Sequence, residues 1–317
     1  AAKKNKKLKG SIALTQIQRA VNTFNRAVVS GELEAQRDEA EKVLAALADL
    51  PRAKRKKPWF KAVSLQMRAV LGEQGGEKLD KVLAAIDKMY AAAKANPGDK
   101  KYALDQRVRR VLFWAQLRAL DQYQQGSGLP AFIAALVSQP ANAMAQKEVY
   151  QFLLAKEQRR SYAQVLELGD VFYPALVGQP QDQRQLRLLQ IRAANALGQT
   201  QRAYAIAQQL IADFPDSGNA WMAYAESAEQ LQRWFEAERA WAKITRGQVE
   251  GSTRWRDAMQ RRSLALIAQY NEEGQQAKKD TVALCKVLNK SGLYRHLMSG
   301  EQQLKLDEGM NKWGCQQ

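Results

Sequence analysis

Along most of this chain apolar side chains return every three or four positions, the spacing that gathers them on one face of an α-helix rather than on alternate faces of a strand. After Ser11 they fall at Ile12, Leu14, Ile17, Ala20, Val21, Phe24 and Val28, with Ser11 placed to cap the start and Gly31 to end the helix. Leu33, Ala40, Val43, Leu44 and Leu47 carry the same rhythm over 32–50, where Pro51 stops it. Further helices are expected over 58–73, 76–96 and 102–124, then over 130–138, 141–157 and 160–177, separated by breaks bearing glycine or proline. No alternating run suggests a strand. The pattern predicts an all-α chain of about 14 helices.

A longer period runs through residues 184–250. Arg187 and Trp221, Ala203 and Ala237, and Ala207 and Trp241 are each 34 residues apart, and Trp255 lies another 34 beyond Trp221. A period of this length marks helical hairpins that stack because none can bury its apolar face alone. Small residues such as Ala225 and Ala237 would let two helices approach within a hairpin. Trp221, Trp234 and Trp241 would fill the space between hairpins as core side chains. A further helix near 300–313 should cover the end of the stack.

The stretch "GNAWMAYAESAEQLQRWFEAERAWAKI" resembles a tetratricopeptide repeat. Trp221 takes the family's fourth position, Tyr224 and Ala225 its seventh and eighth, and Ala228 its eleventh. Trp234 opens the second helix, Ala237 takes the small position and Trp241 the late aromatic one. The preceding copy supplies Gly198, Ala203 and Pro215, and with partial flanking copies the resemblance covers about residues 145–290.

The resemblance implies an α-solenoid, a right-handed superhelix of helical hairpins whose first helices line a concave groove for a protein partner. The family's groove positions correspond to Gln185, Leu188, Arg192, Asn195 and Ala196 in one repeat, and to Asn219, Met222, Glu226, Glu229 and Gln230 in the next. In the partial repeat they correspond to Thr253, Arg256, Gln260, Ser263 and Leu264. The Lys and Asn that some members use to clamp a terminal carboxylate are replaced by Leu188 and Arg192, then by Met222 and Glu226. A mixed wall of this kind suits an extended or helical segment carrying both charge signs.

Charge divides the chain unevenly. The formal net charge is +17, and residues 1–130 hold 26 Lys and Arg against 13 Asp and Glu, so +13 of it lies there. Residues 1–10, with Lys3, Lys4, Lys6, Lys7 and Lys9, read as a disordered basic arm. Residues 11–126 read as a strongly basic region of helical hairpins, and "GSGLP" at 126–130 as the main boundary before TPR-like repeats over 130–317. Within the basic region "PRAKRKKP" gathers Arg52, Lys54, Arg55, Lys56 and Lys57 in one connection, either a solvated loop or a contact for a polyanion or other acidic surface.

Catalytic chemistry finds few candidates. "GEQGGEK" lacks the Lys and then Ser or Thr that a phosphate loop needs directly after its last glycine, and reads as a helix–helix turn. A single histidine, His296, excludes metal sites and catalytic triads of recognisable spacing, and no cofactor is expected. Glu226 followed by Ser227 matches the catalytic pair of some bacterial lytic transglycosylases with helical superhelices, but it lies inside a repeat helix and the family's downstream Gly-Leu-Met-Gln stretch is missing.

Cys285 and Cys315 are the two cysteines, near one end of the chain, and suit a staple in an oxidising compartment; the other reading is a pair of free thiols. The opening "AAKKNKK" fits the start of a mature periplasmic or secreted protein or a trimmed chain, with a cytoplasmic protein as the alternative. The longest apolar stretch, "LPAFIAALV", is too short to span a membrane. Three functions follow as expectations. The first is a non-enzymatic scaffold binding a protein partner in a bacterial cell-envelope assembly. The second is a module that binds nucleic acid, anionic lipid or cell-wall polymer through the basic N-terminal half, and the third is the lytic enzyme.

Overall fold

Sixteen α-helices follow one another with no strand among the described residues, in a computed structural model that describes the backbone of residues 2–30, 32–72, 76–122, 126–137, 143–176, 178–273 and 281–315. The chain divides into two compact units, one ending at Gly178 and the other beginning at Gln179.

In the first unit α1 (Ala2–Ser30) pairs with α2 (Leu33–Ala48), burying Ile17, Phe24, Ala40 and Val43 between them. The expected stop at Gly31 lies outside the described residues. The backbone is helical from Ala2, where the sequence suggests a disordered arm. Alanine, lysine and leucine are good helix formers, and no proline intervenes, so the helix of 11–30 propagates backwards past the roughly 1 kcal/mol penalty of Gly10. The lysine side chains of this segment lie outside the described residues.

Part of the basic connection also folds, into the single turn α3 (Arg52–Arg55), whose Lys54 and Arg55 amides donate to the Pro51 carbonyl. Proline then serves at the first turn of α4 (Pro58–Leu71), where its missing N–H would have had no helical partner. This helix packs on α2, α5 (Gly76–Ala95) and α6 (Gln106–Gln122), and Ala62, Val63, Met67 and Ala69 are completely enclosed. The start of α6 falls later than the expected 102 because the Asp105 carboxylate accepts from the Val108 amide at 2.8 Å and caps the helix there.

No unit boundary falls at 126–130. Beyond that connection come α7 (Leu129–Val137), α8 (Ala143–Gln158) and α9 (Tyr162–Phe172), and the first two pack back on α6. Phe132 lies against Phe113 at 5.8 Å between ring centres, and the Trp114 indole donates to Glu148. Lys156 forms a buried ion pair with Asp121 at 2.5 Å and donates to Gln164 at 2.9 Å. Glycines let the chain turn there, but the side chains on either side of the turn bury one another. The division falls instead at Gly178, in a left-handed conformation at φ 83°.

The second unit contains α10 (Pro180–Ala196), α11 (Thr200–Asp213), α12 (Gly218–Gln230), α13 (Trp234–Arg246), α14 (Thr253–Glu273), α15 (Thr281–Gly292) and α16 (Gly300–Trp313). Each of these packs on the next, α10 also touches α12, and α16 touches both α14 and α15. Alanine makes the close approaches possible: Ala203, Ala207, Ala225, Ala228, Ala237 and Ala240 are all at zero exposure. Of the three tryptophans expected in the core, Trp241 is buried; Trp255, one period beyond Trp221, is buried too. Trp221 and Trp234 are half-exposed, with indole N–H groups held by the Pro215 carbonyl at 2.7 Å and Glu272 at 2.8 Å.

Three of the described hairpin turns share one geometry. After α10, Gly198 donates to the Asn195 carbonyl and Gln199 to that of Ala194; after α12, Gln232 donates to Glu229 and Arg233 to Ala228. The turn from α8 to α9 repeats it, with Arg160 to Glu157 and Ser161 to Lys156. This is the Schellman arrangement, with the turning residue left-handed at φ 70°, 58° and 58° for Gly198, Gln232 and Arg160.

At the far end α16 begins in a capping box between Ser299 and Gln302 and finishes in another left-handed corner at Gly314. There the Cys315 amide donates to the Met310 carbonyl, and the Cys315 sulfur is bonded to that of Cys285 on α15, with Cα atoms 4.9 Å apart. Around the bond Ile267, Tyr270, Leu284, Leu288, Leu306 and Met310 form a closed apolar cluster. Gly309 lets α16 lie directly on Ile267, since a methyl there would sit 2.5 Å from its Cδ1.

Candidate functional site

In the second unit α14 presents one wall of a groove of about 1000 Å³ and α16 the other. Its floor is apolar, from Leu264, Ala265, Ile267 and Ala268, and its rim is polar. The α14 side adds Asp257, Gln260 and Arg261; the α16 side adds Gln302, Lys305, Glu308 and Lys312. Both charge signs therefore face the same space. Lys305 is partly committed to Glu301 at 2.6 Å, and Lys312 donates to Asn271 at 2.6 Å.

Arg261 anchors the other side of this rim. Its guanidinium donates to Glu226 at 2.6 Å and Glu229 at 2.7 Å, both on α12, and lies 4.7 Å above the ring of Trp241 on α13. The Trp241 indole donates to the second oxygen of Glu229 at 2.7 Å. One cation thus ties together three helices of successive hairpins. Burial raises the Glu229 carboxyl above its ordinary range, while Arg261 and the Trp241 N–H pull it back. A second pair, Arg262 with Glu238 at 2.7 Å, repeats the link between α14 and α13.

The fifteen groove positions implied by the repeat pattern separate in the structure. Glu229, Gln260 and Leu264 line the large groove. Thr253 and Arg256 line, with Gln260 and Tyr294, a cleft of about 250 Å³ toward the end of α15. On α10 Gln185, Arg192 and Ala196 are exposed and Leu188 and Asn195 half-buried; on α12 Asn219, Met222 and Gln230 are exposed. None of these eight lines the large groove. Ser263 departs from the expected pattern: it is buried, and its hydroxyl donates back to the Met259 carbonyl at 2.9 Å. Glu226 and Glu229 are half-buried rather than open contacts, each held by Arg261.

Arg261 was missed in the sequence reading although a signal for it existed. It follows Glu226 by 35 residues and Glu229 by 32, close to the 34-residue spacing seen along this stretch, and its guanidinium reaches both. The α16 wall has no such signal, because that helix lies outside the period.

The Glu226–Ser227 pair has Glu226 in the ion pair and Ser227 at zero exposure, its hydroxyl donating to the Ala223 carbonyl at 2.8 Å. His296 is exposed in a short 3₁₀ turn. Among the described residues no group of three or more His, Cys, Asp or Glu is placed to hold a metal ion. No helix among them is long and apolar enough to cross a membrane.

The basic connection of the first unit disperses its charges. Arg52, Arg55, Lys56 and Lys57 are exposed and Lys54 half-buried, and of the five Arg55 alone lines a cavity of about 660 Å³ in this unit. Comparisons with protein-family models, curated proteins and solved structures find no match for this chain.

Proposed function

We propose that the chain is a non-enzymatic adaptor whose α10–α15 hairpins form a tetratricopeptide-like stack, and that a segment of a protein partner lies in the groove between α14 and α16. The observation that carries this reading is the groove's make-up, an apolar floor of Leu264 and Ile267 under a rim holding Asp257 and Glu308 as well as Lys305 and Lys312. An apolar anchor with oriented polar contacts is how helical or extended peptides are recognised. Three features support the stack: the recurring Schellman turns, the enclosed alanines, and the sequential packing of α10 to α15. The disulfide supports an oxidising compartment such as the periplasm, where the partner would belong to an envelope assembly.

The test is site-specific photo-crosslinking in the native cell. A crosslinker at Gln302 should capture one discrete partner, whereas one at the exposed Lys243 should not. Leu264→Arg should abolish the capture without shifting the thermal midpoint. Equal capture at both positions, or capture that survives Leu264→Arg, would move the site elsewhere.

A further inference from the structure

In the first unit residues of α2, α4 and α5, with Arg55 of α3 and the chain at 101–104, line a cavity of about 660 Å³. Its floor is apolar: Leu47 from α2, Phe60 and Leu65 from α4, Met89 from α5, and Leu104. Five cations surround it, Arg55, Lys61, Arg68, Lys88 and Lys101, and no Asp or Glu among the described residues lines it. None of the five takes part in an ion pair among the described residues, unlike Arg261 and Lys305 of the second unit's groove. Lys101 stacks its ammonium over the Tyr102 ring at 5.0 Å, still at the mouth.

Two properties of this cavity restrict what could fill it. Five like charges drawn from α3, α4, α5 and the 101–104 segment raise a positive potential that an anion relieves. A bare anion or a hydrophilic polymer would leave the floor in water, whereas an acyl chain would cover it. A volume of this size lies within the roughly 300–1,000 Å³ typical of small-ligand sites.

We infer that this cavity is a binding site for a phosphate-headed, single-chain lipid, with the chain on the Leu47, Phe60, Leu65 floor and the phosphate among Lys61, Arg68 and Lys88. A phosphate monoester carries about −1.5 to −2 charges at neutral pH, which matches a rim of several cations better than a single carboxylate does. The inference is independent of the groove in the second unit.

Calorimetry on the full chain, below the critical micelle concentration, separates the components. The probes are 1-oleoyl-lysophosphatidic acid, 1-oleoyl-lysophosphatidylcholine with the same chain and a zwitterionic head, and glycerol 3-phosphate with the head and no chain. The first should bind at least tenfold more tightly than either other. Lys61→Gln with Lys88→Gln should weaken it at least tenfold at an unchanged thermal midpoint, and Ala92→Trp, which fills the cavity, should abolish it. Equal binding of the zwitterionic lipid would make the cavity a greasy crevice and overturn the inference. Equal binding of glycerol 3-phosphate, displacement of the lipid by heparin alone, or no binding at all would overturn it too. Should a variant fail to fold, the three-ligand comparison on the unaltered chain still decides.

Discussion

Gln232 occupies, 34 residues after Gly198, the same left-handed corner with the same pair of backbone hydrogen bonds. A side chain in that conformation brings its Cβ close to the carbonyl oxygen, a strain glycine lacks. The repeat thus preserves a backbone shape at a position where the residue type has changed.

Gln232→Gly should therefore stabilise the second unit by about 0.5–1 kcal/mol, the relief of strain being partly offset by a freer unfolded chain. Gly198→Gln should cost about 1 kcal/mol, and a Cβ at Gly198 meets nothing within 4 Å, so only the backbone is tested. Denaturant midpoints at constant slope check both. A destabilised Gln232→Gly would mean that the exposed Gln232 side chain makes a contact that outweighs the strain.

Arg261→Ala should lower stability by about 1–2 kcal/mol at pH 7, a modest figure because the Arg261 side chain is 38% exposed. The pH dependence identifies the cause. Glu229 has a folded pKa above its unfolded value, so its contribution is fully present below the unfolded pKa and is lost as pH rises through the folded one. Removing Arg261 raises that carboxyl further, so the cost of the substitution should fall to less than half near pH ~3, where carboxylates are largely protonated. A pH-independent loss would assign Arg261 to packing on Trp241 instead.

Lys156→Ala should destabilise the first unit by about 3–5 kcal/mol, since it strands a buried Asp121. Replacing both, as Lys156→Met with Asp121→Leu, should recover most of the loss. Failure of the double variant to recover would show that the bond from Lys156 to Gln164 matters as much as the ion pair.

Breaking the Cys285–Cys315 bond should cost about 3–4 kcal/mol in the chain-entropy account of a 30-residue separation. Reduction, or Cys285→Ala with Cys315→Ala, should lower the unfolding midpoint of the second unit. An unchanged midpoint would mean that the apolar cluster around the bond already holds α16.

Much of the helical content was legible in sequence because apolar period and turn chemistry agree locally. Pro58 and Gly198 each act within a few residues of where they stand, whereas the cap at Asp105 that delays α6 went unread. The disulfide was one of two open readings, and the structure forms the bond. The division at Gly178 was hidden, because whether a glycine-rich connection separates units depends on long-range partners such as Phe113 with Phe132. The repeat pattern indicated an inner wall of first helices, but the α16 wall comes from outside the period and takes the place of much of the expected surface. Likewise Arg55 was visible in a basic run, while Lys61, Arg68, Lys88 and Lys101 line the same cavity only because α4, α5 and the 101–104 segment are brought together by the fold.

Gly314 turns the chain so that Cys315 can reach α15, and the helix this secures is also one wall of the groove. The one covalent tie on that wall is therefore a bond that a reductant opens. Affinity assays run with a thiol reductant and assays run without one would compare the groove with its α16 wall untied and tied.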